Sequence, residues 1–499
     1  VGAYSSFLSA LRSSGEAPSS SARMLAMISP SGSPLAWPTS ASRKVSARWV
    51  WERSTPRSTA SSTAALGVGV ESVSPASTRR GEVPLGPADV VDIPRVYRAV
   101  AAPPIAAPRP CDQTPRALWC GVPDAPTRWI RTAAQLDQLA AELAGVRAIG
   151  IDTEADSLHH YAERVCLIQL TAYRGASWLI DPLAVPDLTP LAPVFADPAV
   201  VKVVHGGDND VTSMRRDFGV TFRTMFDTAI AARLLGDAEV GLQALVRAEL
   251  GVELSKGSQR DDWSKRPLTP KQEAYALADV AHLMALATRL TTRLADVGRT
   301  EWAREEFAAL AALVPAPSTR TEPDGFRRIK GSAALSRRKQ AVLRELYVWR
   351  EARAAAADRP PFKIVGPEVL LALAETAPTS VDGVARALAS YPRQADQHAD
   401  VAAAIARGLA LPERELPSPK AEGRAAPSAA VKRRIAALRT WRDAQAERLR
   451  LDPAIVLSQR VIERIAAAAP GSLDELAAID GVRRWRVAEW GPALLAAAA

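Results

Sequence analysis

Cysteine is scarce in this chain: 499 residues hold three, Cys111, Cys120 and Cys166. Their spacing matches no zinc motif and the odd count leaves no complete disulfide framework, so a reducing interior is the simpler setting. Cys166 falls within an apolar run and reads as a small buried hydrophobe. Long apolar runs are missing as well. Stretches such as 354–357 and 465–469 are short, dominated by alanine and close to charge, well below the roughly 20 residues that a membrane-spanning helix needs. No membrane partner is therefore expected. The G-x-x-x-x-G-K-[ST] phosphate loop is absent, which argues against an intrinsic nucleotide-driven motor. Acid is also in deficit, with 54 Asp and Glu against 63 Lys and Arg, a formal net charge of +9. The excess favours a polyanionic partner through phosphate contacts and counterion release, although a GC-rich genome produces the same Arg-rich, Ala-rich composition.

What is present is organised in blocks. Residues 1 to about 85 are rich in Ser, Ala, Pro and Gly without sustained periodicity, and 1–127 read as a disordered, low-complexity region with its linker. The arginines between Arg12 and Arg80 superficially suggest a transit peptide, but no clear amphipathic helix accompanies them. Val1 in place of Met fits an alternative start codon or an over-extended reading frame. From Trp129 the pattern becomes regular: a helix over 133–143, a strand leading into Asp152, strands near 165–171 and 177–180, a strand at Val200, and helices onward. This alternation predicts an α/β domain over 128–315, a mixed sheet with flanking helices. Two small all-α units follow, 333–412 and 428–499, the second repeating the plan of the first.

Five residues in three segments stand out. Asp152 and Glu154 are two apart at the end of the run 146–151, which reads as a buried strand, so both project from one face. Tyr275 and Asp279 are four apart in an Ala/Leu-rich stretch, Pro270 to Leu290, whose helical periodicity sets a hydroxyl one turn from a carboxylate. Asp210 follows a strand-like run and a Gly-Gly turn, and opens a helical segment over 211–218. Each carboxylate alone is weak evidence, and Asp210 also reads as a helix cap. Together they suit hard divalent cations, which prefer carboxylate oxygen and, about 4 Å apart, clamp the attacking and leaving oxygens of a phosphodiester.

The segments Ile151-Asp152-Thr153-Glu154, Val165 to Leu170, His205 to Asp210, Phe226-Asp227-Thr228, Asp262-Trp263 with Arg266-Pro267-Leu268, and Tyr275 to Asp279 together resemble the ribonuclease D-like 3′-to-5′ exonucleases of the DEDD superfamily, tyrosine subgroup. The resemblance covers roughly Trp129 to Leu294. It implies the ribonuclease H-like fold, catalytic roles for Asp152, Glu154, Asp210, Tyr275 and Asp279, and two divalent ions, Mg²⁺ or Mn²⁺, held by the four carboxylates. Asp152 would bridge both ions, Glu154 and Asp279 complete the one that binds the attacking water, and Asp210 support the other. Tyr275 would position or deprotonate that water. Thr153 and His205 become substrate contacts, with a structural hydrogen bond the alternative for His205. Asp227 reads as a helix cap, and Asp156 and Asp208 as solvated.

The helical units resemble HRDC domains, nucleic-acid-binding modules found in RecQ helicases and ribonuclease D. The first match rests on Leu346-Tyr347-Trp349-Arg350 and the Pro361 to Pro367 turn. The second rests on Leu438-Arg439-Trp441-Arg442 and on Leu476 to Val482, an element with which such domains close on a phosphate backbone. Trp349 and Trp441 read as core. Arg337, Arg338, Lys339, Arg350, Arg433, Arg434, Arg483, Arg484 and Arg486 are candidates for a strand-guiding surface. The implied activity is hydrolysis of RNA from single-stranded 3′ ends, releasing 5′-mononucleotides, with tRNA precursors or other structured RNA as targets, in the cytoplasm and without an obligate protein partner. A DNA-directed exonuclease and a catalytically silent RNA-binding protein are the alternatives.

Overall fold

A computed structural model describes residues 127–172, 176–255, 257–316, 322–389, 397–418 and 427–499. The expectations for residues 1–126, including Cys111 and Cys120, lie outside the described residues. Six strands form one sheet: β1 (Arg128–Ile130), β2 (Ala148–Ala155), β3 (Val165–Ala172), β4 (Ser177–Ile180), β5 (Val201–Val204) and β6 (Met225–Asp227). Their order is β1-β4-β3-β2-β5-β6, mixed because β3 runs antiparallel to both neighbours while β2, β5 and β6 are parallel. The central strands are near-continuous apolar runs, as burial on both faces demands.

One face carries Ile149, Ile151, Ile168 and Leu170, which pack with Val211 and Met214 of the helix α3 (Asp208–Phe218), after α1 (Ala133–Glu142) and α2 (Ala192–Ala196) in chain order. The opposite face belongs to later helices. After α4 (Thr228–Leu235) and α5 (Leu242–Leu250) come α6 (Pro270–Ala281), α7 (Leu283–Asp296) and α8 (Thr300–Ala311). Thr269 starts α6 with a capping box to Gln272, and Pro270 stands at its first position, where a missing N–H costs nothing. The helix expected over 270–290 is broken at His282, which ends α6 and begins α7 with φ −107° and ψ −2°. The break lets α7 turn its own row, Leu283, Leu286 and Leu290, into the core.

The helical units repeat element for element. The first has α9 (Arg337–Ala356), α10 (Pro361–Ile364), α11 (Pro367–Thr376), α12 (Val381–Ala387) and α13 (His398–Ala410). The second has α14 (Ala429–Leu449), α15 (Pro453–Val456), α16 (Gln459–Ala468), α17 (Leu473–Ala477) and α18 (Arg484–Ala498). Even an unusual cap recurs: α11 and α16 end on left-handed alanines, Ala377 at φ 44° and Ala469 at φ 49°. Trp349 is buried and Trp441 half-buried, as core positions.

Most of the candidate basic surface is engaged within the protein. Arg486 is buried, donates to Glu306 Oε1 at 2.9 Å and to the carbonyls of Ile455 and Val456, and stacks on Trp485. Arg483 reaches Glu306 Oε2 at 3.2 Å. The carboxylate of Glu305 accepts the backbone N–H groups of Arg484 and Trp485 at 2.8 and 2.9 Å. The helix that follows the turn expected to close on phosphate is thus capped by a carboxylate of α8, an anion satisfying the free N–H groups of α18. Trp302 stacks on Trp485 at 4.3 Å, with Trp490 edge-on to both. Gly236 completes the contact, since a Cβ there would overlap the carbonyl oxygen of Arg450. In the first unit Arg350 is buried against Glu351, while Arg337 and Arg338 donate to carbonyls at 409–417. These side chains satisfy helix-end carbonyls instead of facing solvent as a set.

The first unit meets the α/β domain at the loop after β2. His160 Nδ1 lies 2.7 Å from Asp358 Oδ2, the Tyr161 N–H donates to Asp358 Oδ1, and the Tyr161 hydroxyl donates to Glu351. No helix among the described residues is long and apolar enough to cross a membrane.

Candidate active site

Strand parity sets the first two carboxylates. Gly150, Asp152 and Glu154 alternate with the core residues Ile149 and Ile151, so they face α6, where Tyr275 and Asp279 lie one turn apart. Asp152, Glu154 and Asp279 each bring a carboxylate oxygen to within 4.8 Å of the others. Asp210 arrives from the other side of the sheet, in the first turn of α3. It does not cap that helix: Gly207 is the N-cap, and the carboxylate of Asp210 accepts a short hydrogen bond from the hydroxyl of Thr153. Thr153 points away from its neighbours Asp152 and Glu154, which lets it bind a group on the opposite face.

The electrostatics follow from burial. Desolvation, then the charges of Asp210, Glu154 and Asp279, hold Asp152 well above the usual aspartate range. Glu154 is pushed up to about 9 by burial and then by Asp279, Asp210 and Asp261. Asp210 and Asp279 rise to about 6, burial being the main cause in both. Such a cluster stays partly protonated until a countercharge arrives. The donors are all carboxylate oxygen, the chemistry that hard divalent cations take. Tyr275 donates to Asp279, and burial with the nearby carboxylates drives its phenol far above the ordinary tyrosine range, so it remains an O–H donor.

The surroundings hold this geometry. Trp263 is fully buried beside Tyr275, with ring centroids 6.1 Å apart. Its loop is pinned by Arg266, which pairs bidentately with Asp181 at 2.7 and 2.8 Å and donates to the Cys166 carbonyl. Asp227 caps α4 through Ala229 and Ile230, as expected, and also accepts from Gly206 and Gly207, fixing the turn that presents Asp210. His205 Nδ1 lies 2.9 Å from the Thr228 hydroxyl, and burial lowers its pKa. Asp208 is half-buried.

Asp156 corrects an expectation. It is fully buried and accepts the backbone and guanidinium N–H groups of Arg164, tying the two ends of the β2–β3 loop together. Two neighbours had no assigned role in the sequence reading: Asp261, whose charge reaches Glu154, and Gln169, paired with Asp152 across β2 and β3. Gln169 was signalled as a polar residue inside a strand apolar on both faces.

A sheet of this topology bearing a half-buried carboxylate cluster, followed by two helical repeats, defines a nuclease of the 3′-to-5′ exonuclease class. A 3′-5′ exonuclease family model matches residues 127–295, and the HRDC domain model matches 339–405 and 431–497. The chain is 33% identical to Ribonuclease D of Pseudomonas paraeruginosa over 74% of its own length and 96% of that protein. It is 30% identical to Ribonuclease D of Desulfotalea psychrophila, over 67% and 89%. The structure of Escherichia coli RNase D, described as an exoribonuclease involved in structured RNA processing, aligns with a TM-score of 0.59 at 25% identity, covering 74% of this chain and 98% of that one. The chain belongs to the ribonuclease D family of 3′-to-5′ exoribonucleases.

Proposed function

We propose that this chain hydrolyses RNA from single-stranded 3′ ends and releases 5′-mononucleotides, with tRNA precursors or other structured RNA as substrates, using the catalytic set Asp152, Glu154, Asp210, Tyr275 and Asp279. The observation that carries this reading is the convergence of three half-buried carboxylates from β2 and α6 within 4.8 Å, with Asp210 close enough to act on Asp152. Asp152, Glu154 and Asp279 would hold one Mg²⁺ or Mn²⁺, and Asp152 with Asp210 a second. Bound there, the ions would acidify a water and neutralise charge on the scissile phosphate. The chain's own part is positional. Thr153 orients Asp210, Asp227 fixes the turn before it, and the Tyr275 hydroxyl, held by Asp279 and walled by Trp263, orients the attacking water as a donor. His205 and Thr153 border the substrate path. The catalytic unit would occupy 128–315 and the HRDC units 333–412 and 428–499, and the basic composition would contribute phosphate contacts. A cytoplasmic setting, with no obligate protein partner, goes with this reading.

The test is degradation of a 3′-extended oligoribonucleotide compared with its deoxy equivalent, with Mg²⁺ or Mn²⁺ and with EDTA. Stepwise release of nucleoside 5′-monophosphates from RNA, abolished by EDTA and by Asp152→Asn or Asp279→Asn, is expected. Undiminished activity in either variant would remove the site assignment, and preference for the deoxy substrate would move the chain to DNA.

A further inference from the structure

Gln169 lies in the middle of β3, is fully buried, and has no hydrogen-bond partner for either amide atom among the described residues. Orphaned amides of this kind are destabilising and rare in native interiors, so one that persists calls for a partner in some state of the protein. Sheet register says where that partner is. Gln169 is opposite Asp152 on β2 and opposite Leu179 on β4. Directly opposed residues on antiparallel strands share a face, with Cβ atoms about 5 Å apart. Leu179 is aliphatic and belongs, with Leu167 and Ala276, to the small apolar cluster beneath Tyr275. Of the two cross-strand neighbours, only Asp152 can accept a hydrogen bond.

We propose that Gln169 is a positioning residue for Asp152: in the cation-loaded site its amide N–H donates to the Asp152 carboxylate and fixes the orientation of the ligand shared by both ions. The inference rests on the metal reading given above. Groups that hydrogen-bond to ligating carboxylates govern affinity as well as geometry, and their removal typically costs about 10- to 100-fold in metal binding. In the cation-free protein the amide has no such duty, so an apolar side chain of similar length fits as well or better.

The experiment is a calorimetric titration of Mn²⁺ into EDTA-stripped full-length wild type, Gln169→Met and Leu179→Met, with thermal unfolding of each protein in its metal-free form. The expected result is a metal-free Gln169→Met that melts at or above the wild-type temperature, binds Mn²⁺ at least about 10-fold more weakly, and recovers turnover as Mn²⁺ is raised. Leu179→Met should bind as wild type does. Mn²⁺ affinity of Gln169→Met within twofold of wild type would overturn the proposal. So would a Gln169→Met protein that fails to fold without metal, because the amide would then be supporting the metal-free core. A wild type that binds no Mn²⁺ would instead remove the metal reading itself.

Discussion

The contact between Arg486 and Glu306 makes the second HRDC unit part of the catalytic body, and a double-mutant cycle tests this directly. Arg486→Met keeps the aliphatic stem but removes three donated hydrogen bonds, one to a carboxylate and two to carbonyls. Burial works to raise the pKa of Glu306, yet the charges of Arg486 and Arg483 and the donations it receives hold it below the usual glutamate range. Breaking a buried pair on one side costs about 3–5 kcal/mol. The lower end applies to either single variant, since Glu306 retains Arg483 and the Trp485 indole, and Arg486 retains its carbonyls. The charged hydrogen bond itself should appear as a coupling of about 1.5–3 kcal/mol between Arg486→Met and Glu306→Gln. Urea unfolding can be followed at the indole cluster of Trp302, Trp485 and Trp490, which spans the contact, and by far-ultraviolet circular dichroism. Coincident transitions and that coupling are expected. A coupling below about 0.5 kcal/mol, or wild-type indoles that lose their environment before the helices melt, would refute the argument.

Tyr275→Phe should lower turnover by roughly 10²-fold or more, the scale of losing one oriented donor, while RNA binding measured by anisotropy stays near wild type. Weaker binding with unchanged turnover would count against its role at the water. The carboxylate cluster also sets a pH dependence. Asp210, Asp279 and Glu154 have folded pKa values above their ordinary ones, so their contribution to the metal-free fold is complete below about pH 4 and is lost as pH rises through about 6 and then about 9. Melting temperatures in EDTA should fall from pH 5 to 9, and the gain on adding Mn²⁺ should grow over the same range. A flat profile with an equal Mn²⁺ gain at each pH would contradict this account.

The constellation was legible because its members sit on short periods. A separation of two on a strand and four on a helix is fixed by backbone geometry, so Asp152, Glu154, Tyr275 and Asp279 could be placed in pairs without knowing what surrounds them. The Asp227 cap was legible for the same local reason. What could not be read depended on partners distant in the chain. Arg483, Arg484 and Arg486 present the same letters as a phosphate-binding turn, and only the fold brings Glu305 and Glu306 against them, about 180 residues away. Asp156 looked solvated because nothing in a local pattern distinguishes an aspartate beside Arg164 in solvent from one buried under it. The break at His282 was invisible because neither Pro nor Gly marks it.

The two HRDC units, alike in sequence plan, are attached by different physics, and this bears on how they serve the site. The second is held by a largely buried carboxylate-guanidinium pair, a capped helix end and stacked indoles. The first touches the catalytic domain through His160, Tyr161 and Asp358, with the Asp358 side chain largely exposed, and exposed ion pairs contribute about 0–1 kcal/mol each. Its contact falls on the loop after β2, the strand that carries Asp152 and Glu154. The same loop reaches the other wall of the site, since His160 Nε2 lies 2.8 Å from the hydroxyl of Ser264, next to Trp263. The second unit, through Arg483, Trp485 and Arg486, packs against α8, the helix that carries Trp302, Glu305 and Glu306.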